Sequence, residues 1–224
     1  MTSGATRGRL IVLEGGDGVG KTTQLPLVAE ALRARRLVVR TIREPGQTAV
    51  GMRVRELVLH PESRISPATE ALLFLSARAQ VVAEVVQPAL DAGEWVVADR
   101  FFVSTYAYQI AGHGLDDALV RSANALATAG LVPDLTVLLT LPEGVATARR
   151  AERGQSDRLE RYGADFDARV ADAYAAAATS TWQARHPECG PIVAVPAHGP
   201  VADVTARLER AIVEHTSPAV VLTP

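Results

Sequence analysis

The stretch LIVLEGGDGVGKT, residues 10–22, indicates the fold of this 224-residue chain. Its first four residues are apolar, which is typical of a strand covered on both faces of a parallel sheet. After Glu14, the sequence GGDGVGKT (15–22) fits G-x-x-x-x-G-K-[ST], a loop whose backbone N–H groups cradle phosphate at a helix N-terminus. Apolar residues then recur at helical spacing as far as residue 36. The sequence therefore predicts a strand, a phosphate-binding loop and a helix in succession.

This loop predicts binding of a nucleoside triphosphate together with Mg²⁺. The Lys21 ammonium would contact the β- and γ-phosphates, and the Thr22 hydroxyl would bind Mg²⁺. The predicted phosphate-binding residues are Gly15, Gly16, Asp17, Gly18, Val19, Gly20, Lys21, Thr22 and Thr23. On its own, the loop does not distinguish a kinase from a GTPase or a motor ATPase.

Short β-branched runs alternate with segments of helical periodicity along the rest of the chain. The predicted strands are 10–13, 37–42, 95–98, 135–141 and 192–195. The predicted helices are 21–36, 50–59, 68–90, 104–109, 116–128, 143–152, 165–185 and 201–214. This alternation favours an α/β fold with a doubly wound, five-stranded parallel sheet and helices on both faces. We expect a single domain over 1–224, with its core at 10–214 and a loose tail at 216–224.

The composition excludes several classes of protein. Cys189 is the single cysteine, so an internal disulfide framework and a cysteine-based zinc site are excluded. The net charge of −2 gives no basic footprint for nucleic acid. No uncharged apolar run reaches the roughly 18 residues of a membrane span. We therefore expect a cytoplasmic protein with no nucleic-acid or membrane partner.

Charged and aromatic residues follow the predicted strands at the edge where such sheets bind ligands. Glu44 and Pro45 end the second strand, and Asp99-Arg100 end the third. Arg78 lies one helical turn after Phe74, so a phosphate clamp and a base-stacking ring would share one face. Taken singly, these features are also typical of a plain turn, a surface ion pair and an arginine that extends its charge to solvent.

Arginines are dense after the fourth predicted strand. The run RRAERGQSDR, 149–158, predicts a mobile lid at about 149–163 that carries Arg149, Arg153 and Arg158 to transferring phosphates. The alternative interpretation is the solvated face of an ordinary helix.

In this order and spacing, the motifs resemble the thymidylate kinase family over about residues 10–208. The matching stretches are EGGDGVGKTT (14–23), REPG (43–46), LFLSAR (73–78), DR (99–100), STYAYQ (104–109), PDLT (133–136) and the arginine-rich lid. The resemblance implies a P-loop fold and transfer of a phosphoryl group from ATP, with Mg²⁺, to dTMP. It also implies a homodimer, for which the helix carrying Val81, Val82, Val85 and Val86 offers an apolar stripe unless that stripe belongs to the core.

The resemblance also implies roles for individual residues. Phe74 would stack on thymine, Arg78 would hold the base and phosphate side of dTMP, and Tyr108 would lie against the deoxyribose. Asp17 and Arg100 would lie near the acceptor phosphate, and Asp99 near Mg²⁺. The remaining implied substrate contacts are Glu44, Pro45, Thr105 and Gln109. The lid arginines, with glycine at Gly18, match the bacterial arrangement of the family.

Two positions depart from the family pattern, and other functions stay open. His113 stands where many bacterial members carry arginine, and Gln47 replaces a common glycine. The first alternative function is a P-loop kinase for another nucleoside monophosphate or a nucleoside. A GTP-dependent switch would need a guanine-reading N-K-x-D segment, which a chain with Lys21 as its one lysine does not contain. The remaining alternative is an inactive nucleotide-binding module.

Overall fold

A computed structural model describes residues 7–142, 144–153 and 158–216. Its five strands form one parallel sheet in the order β2-β3-β1-β4-β5. The strands are β1 (Leu10–Glu14), β2 (Val39–Arg43), β3 (Trp95–Asp99), β4 (Leu135–Thr140) and β5 (Ile192–Pro196). The predicted α/β fold with a five-stranded parallel sheet is confirmed.

Helices connect these strands and cover both faces of the sheet. They are α1 (Lys21–Ala34), α2 (Ala49–Leu59), α3 (Pro67–Val81), α4 (Gln87–Asp91), α5 (Phe102–Thr105), α6 (Asp117–Thr128), α7 (Val145–Arg153), α8 (Ala164–Ala177), α9 (Ser180–Arg185) and α10 (Val201–Thr216). A π-helical turn (Val82–Val86) joins α3 to α4, and a π-helical segment (Tyr106–Gly112) follows α5. Among the described residues, no helix combines the length and the apolar character that crossing a membrane requires.

The helix predicted over 165–185 is wrong, because the structure divides it in two. The first part, α8, ends at Ala177, and Thr179 then has extended backbone. The Thr179 side chain accepts a hydrogen bond from the backbone N–H of Trp182, which caps α9 at its N-terminus. The tail also begins later than predicted, since Thr216 is a buried residue of α10. The rest of the predicted tail lies outside the described residues.

The sheet has apolar layers on both sides, which explains the unbroken run in β1. Leu10 and Val12 contribute to the layer that includes α4, α5 and α8. Ile11 and Leu13 contribute to the opposite layer, with α1 and α10. All four side chains are fully buried, so no position in this strand is left for a polar residue.

The valine stripe at 81–86 belongs to the core, which is one of the two interpretations that the sequence left open. Val81, Val82 and Val86 are buried in the same layer as Leu10, and Val85 packs against that layer. The interpretation of this stripe as an exposed dimer surface is therefore wrong.

Candidate active site

The loop between β1 and α1 has a backbone that requires glycine. Gly15 has φ +134°, and a Cβ atom there would lie 2.6 Å from the carbonyl oxygen of Leu139. Gly20 has φ +104° and begins α1 without a capping side chain. The first N–H groups of the helix are therefore left for an anion. This geometry is that of the predicted phosphate-binding loop.

Lys21 lies folded over this loop. Its Nζ donates hydrogen bonds to the carbonyl oxygens of Gly15, at 2.6 Å, and Gly16, at 2.8 Å. Burial and the positive charge of Arg100 lower the pKa of Lys21 to about 8, although Asp17 and Asp99 favour its charged form. Anionic phosphates bound beside Lys21 would restore its preference for the charged state.

Asp17 and Arg100 form a hydrogen-bonded ion pair between the loop and the end of β3. Nη2 of Arg100 lies 2.5 Å from Oδ1 of Asp17, and the Tyr108 hydroxyl donates to Oδ2 at 2.6 Å. Burial alone would raise the pKa of Asp17, but the charges of Arg100 and Lys21 and the bond from Tyr108 hold it well below its usual range. Asp17 is therefore an anion that orients the guanidinium of Arg100.

Arg100 adopts the left-handed region with φ +74°, a conformation that other contacts must stabilise. The fully buried Glu14 carboxylate supplies them. Its Oε1 accepts the backbone N–H groups of Phe101, at 2.8 Å, and Ser104, at 3.0 Å. Its Oε2 accepts the Ser104 hydroxyl at 2.7 Å. Sequence reasoning missed this role for Glu14, because nothing in the phosphate-loop pattern concerns the residue before it.

Two clefts meet at this ion pair. The P-loop cleft is lined by Asp17–Thr23 together with Asp99, Arg149 and residues after β5. The aromatic cleft is lined by Phe74 and Tyr108, among others. Three residues line both clefts: Asp17, Arg43 and Arg100. A ligand in each cleft would therefore bring its reactive end to the same place.

The structure brings the predicted substrate contacts together in the aromatic cleft. Its walls include Glu44, Pro45, Phe74, Arg78, Arg100, Thr105, Tyr108 and Gln109. Tyr108 and Gln109 come from the π-helical segment, and such segments are frequent at functional sites. Whether these residues bind a substrate stays a prediction.

Arg78 is bound by protein acceptors in the wall of the aromatic cleft. Its Nε and Nη2 both contact Oε2 of Glu44 at 2.8 Å. Nη1 donates to Thr105 and Asn124 at 2.7 and 2.8 Å, and Nη2 also donates to the carbonyl oxygen of Phe101. Its five N–H groups all face protein acceptors, so Arg78 orients Glu44 and Thr105 in the cleft wall. Whether it also contacts a bound phosphate or base stays a prediction.

The three predicted lid arginines have different outcomes. Arg149 lines the P-loop cleft, as the lid hypothesis requires. The side chain of Arg153 lies outside the described residues. Arg158 is buried and donates from Nε to the carbonyl oxygen of Val58 at 2.8 Å, while its Nη2 contacts Glu70. A buried carboxylate therefore binds Arg158 in this structure, and its role as a phosphate contact stays a prediction.

Other residues of the aromatic cleft were not predicted as site residues. Arg55, Ser104 and Leu159 line it, and Arg43 lines both clefts. Arg43 belongs to a matched motif and could have been found. Arg55 lies on α2 and Leu159 lies near the end of the segment predicted as a lid, so their place in the cleft depends on tertiary packing that no local pattern reveals.

At the two departures from the family pattern, the structure shows the backbone conformation of Gln47 and the contacts of His113. Gln47 has φ +68°, a conformation that glycine adopts without strain. Nε2 of His113 lies 2.9 Å from Oε1 of Glu70, and its ring packs edge-on against Tyr162. His113 therefore contacts Tyr162, in the segment predicted as a lid.

Oxygen atoms suited to a divalent cation lie beside the loop. The Thr22 hydroxyl donates to Oδ2 of Asp99 at 3.2 Å. Oδ1 of Asp99 is buried and has no hydrogen-bond partner among the described residues. No cluster of three His, Cys, Asp or Glu residues that could hold a metal occurs in the described part of the chain. One carboxylate and one hydroxyl suit Mg²⁺, which takes its remaining ligands from water and phosphate.

Fold and site together define a P-loop protein built to hold a nucleotide beside a second ligand. A sequence model described as thymidylate kinase matches residues 13–185. The thymidylate kinase of Carboxydothermus hydrogenoformans is 47% identical over 168 residues, covering 75% of this chain and 83% of the relative. That of Deinococcus radiodurans is 49% identical over 165 residues, covering 74% and 80%. That of Rhizorhabdus wittichii is 43% identical over 210 residues, covering 92% and 98%. The chain belongs to the thymidylate kinase family.

Proposed function

We propose that this protein transfers the γ-phosphoryl group of ATP to dTMP, giving dTDP and ADP. The observation that carries the proposal is the pair of clefts that share Asp17, Arg43 and Arg100. ATP in the P-loop cleft and dTMP in the aromatic cleft would place donor and acceptor phosphates against these three residues. Membership of the thymidylate kinase family supports this choice of substrates.

The proposed reaction is an in-line displacement that relies on positioning and charge neutralisation. A phosphate oxygen of dTMP attacks the γ-phosphorus, the bond to the β–γ bridging oxygen breaks, and ADP leaves with that electron pair. Lys21 contacts the β- and γ-phosphates, and Arg100 holds the acceptor phosphate while Asp17 orients it. The dTMP phosphate is already anionic, so the reaction needs no general base.

Thr22 and Asp99 are the proposed ligands of Mg²⁺ in this reaction. The unpartnered oxygen of Asp99 and the neighbouring Thr22 hydroxyl fit that role. When bound, Mg²⁺ would neutralise phosphate oxygens of ATP. Arg149 is the described lid arginine in the P-loop cleft, and it would contribute positive charge on the donor side.

Recognition of the nucleoside would come from the walls of the aromatic cleft. Phe74 would stack on the base, and Tyr108 would lie against the sugar with its hydroxyl held by Asp17. Thr105 and Gln109 would provide polar contacts with the base. The buried contacts of Arg78 would keep this wall rigid.

We also propose a homodimer and a cytoplasmic location. Leu119 and Leu126 lie two turns apart on α6 and are exposed, and Leu72 is exposed on α3, which packs against α6. An apolar face of this kind suits a second copy of the chain. The single cysteine, Cys189, is buried, which suits a reducing compartment. Light scattering of the wild type and of Leu126→Glu tests the dimer, which the variant should weaken.

The experiment that tests the function is ATP consumption assayed in parallel with dTMP, dUMP, dCMP, dGMP and AMP. We expect dTMP to have the highest kcat/KM. A higher kcat/KM with another acceptor would favour the alternative of a P-loop kinase for a different nucleotide. ATP hydrolysis without acceptor dependence would contradict both.

A further inference from the structure

Glu70 joins the lid to the aromatic cleft through one fully buried carboxylate. It lies in the first turn of α3 and accepts four hydrogen bonds. Gln109 and His113 donate to Oε1 at 3.1 and 2.9 Å, and the Tyr162 hydroxyl donates to Oε2 at 2.6 Å. Arg158 donates to Oε2 as well. Burial alone would raise the pKa of Glu70, but the bonds from His113, Tyr162 and Arg158 lower it to about 2, so Glu70 is an anion at neutral pH.

The charge of Glu70 dictates the direction of the Gln109 side-chain amide. An ionised carboxylate only accepts hydrogen bonds, so the amide nitrogen of Gln109 must face Glu70. Gln109 lines the aromatic cleft, so its carbonyl oxygen is the end of the amide that is left for a ligand there. An acceptor at this position complements the N3–H donor of thymine or uracil and opposes the unprotonated N3 of cytosine.

Glu70 also holds a second wall of the same cleft. Arg158 and Tyr162 flank Leu159, and the Leu159 side chain lines the aromatic cleft. The two residues bound to Glu70 thus keep the end of the lid against the nucleoside side of the site. Glu70 itself lines neither cleft.

We propose that Glu70 is a positioning residue that builds the base end of the aromatic cleft and makes it select thymine over cytosine. The selection comes from the orientation of the Gln109 amide, whereas the contact with Arg158 holds the cleft wall at Leu159 for either base. This inference rests on the proposed function, since it concerns how dTMP is chosen.

The variant Glu70→Gln tests the amide arm. A glutamine at position 70 offers both a donor and an acceptor, so it no longer dictates which end of Gln109 faces the cleft. We expect the ratio of kcat/KM for dTMP to that for dCMP to fall by about tenfold or more, with the KM for ATP unchanged. A structural role alone would lower both acceptor values equally. The matched control is Glu188→Gln. Like Glu70, Glu188 accepts hydrogen bonds from a tyrosine and an arginine, here Tyr106 and Arg121, but it lines neither cleft.

The variant Arg158→Met tests the lid arm separately. It leaves the bond between Glu70 and Gln109 in place, so we expect KM to rise for dTMP and dCMP alike without a change in their ratio. Unchanged KM values for both acceptors would overturn the lid arm.

A buried guanidinium without its partner destabilises a protein, so Glu70→Gln is paired with the neutral double variant Glu70→Gln/Arg158→Met. Thermal melting shows which of these two variants is folded, and a folded variant should lose discrimination between dTMP and dCMP. A wild-type ratio in that variant would overturn the proposal for Gln109. Absence of dTMP turnover in the wild type would instead overturn the proposed function.

Discussion

Nη2 of Arg100 lies 2.5 Å from Oδ1 of Asp17, where the P-loop cleft and the aromatic cleft meet. Asp17 comes from the phosphate loop, whereas Arg100 follows β3, so this ion pair links the two strands that form the centre of the site. Only 18% of the Arg100 side chain is exposed, which makes its charge effective toward a bound phosphate. In the proposed reaction, this contact would orient a cation for the acceptor phosphate before any ligand binds.

Replacing Arg100 should affect the reaction far more than the fold. For Arg100→Lys we expect kcat/KM for dTMP to fall by about 10²–10³, because an ammonium cannot reproduce the planar guanidinium held by Asp17 and Ser104. Steady-state kinetics check this. The control Arg121→Lys changes an arginine paired with Glu188 outside both clefts and should leave kcat/KM near wild type. Equal losses in the two variants would contradict the role of Arg100.

The lowered pKa of Lys21 predicts how activity depends on pH. Because the free protein has a Lys21 pKa of about 8, we expect kcat/KM for ATP to fall above that pH as the ammonium loses its proton. Measurement of kcat/KM for ATP from pH 6 to 10 checks this. A flat profile through about pH 9 would contradict it.

The same pKa predicts that Lys21 destabilises the free protein. A lysine whose folded pKa lies below its unfolded value disfavours folding fully below the folded pKa, and this penalty is lost as the pH rises between the two. Lys21→Met should therefore raise the free energy of unfolding at pH 7 by about 1–3 kcal/mol while abolishing activity. Chemical unfolding of both proteins at pH 7 and pH 10 checks this. A lower stability of the variant at pH 7 would argue against the prediction.

Removing the Glu14 carboxylate should release the turn at Arg100. Glu14→Ala leaves the buried N–H groups of Phe101 and Ser104 without an acceptor, so we expect a loss of about 3 kcal/mol in the free energy of unfolding. Glu14→Gln keeps one carbonyl oxygen for these groups and should lose less. Thermal melting of Glu14→Ala and Glu14→Gln checks the two losses of stability, and steady-state kinetics of the same variants check the support of Arg100. Wild-type turnover in Glu14→Ala would show that Arg100 needs no such support.

The left-handed backbone at Gln47 predicts a stabilising substitution. Gln47→Gly should raise the free energy of unfolding by about 0.5–1 kcal/mol, because glycine adopts φ +68° without a steric cost. The matched control is Gln87→Gly, at an exposed helical position with φ −59°, which should be destabilising by about the same amount. Urea unfolding of both variants tests the contrast. Destabilisation of both would contradict the strain at Gln47.

Local sequence patterns predicted the parts of the site that depend on local structure. The apolar run before Gly15 and the glycines of the loop predict a buried strand and a phosphate cradle, because burial and positive φ each restrict the residue type. Asp99-Arg100 could be placed at the ligand edge because parallel strands end there together.

Tertiary contacts decide features of the structure that local patterns could not predict. Arg158 belongs to an arginine-rich run, but the distant Glu70 accepts its guanidinium. Val81 and Val86 share a stripe that is more often a core face than a surface face, and the packing of α3 and the following π-helical turn on the sheet confirms the core. The break between α8 and α9 depends on the cap at Thr179, which alanine-rich flanks conceal.

The most direct test of phosphoryl transfer follows the γ-phosphate itself. ATP labelled with ³²P at the γ-position is incubated with Mg²⁺, dTMP and either the wild type or Lys21→Arg, and the labelled products are separated. We predict that the wild type moves the label to dTDP. Lys21→Arg, although folded, should do so at a small fraction of that rate, because the broader guanidinium does not fit over the carbonyls of Gly15 and Gly16. Label released as inorganic phosphate instead of dTDP, or equal transfer by both proteins, would contradict the account.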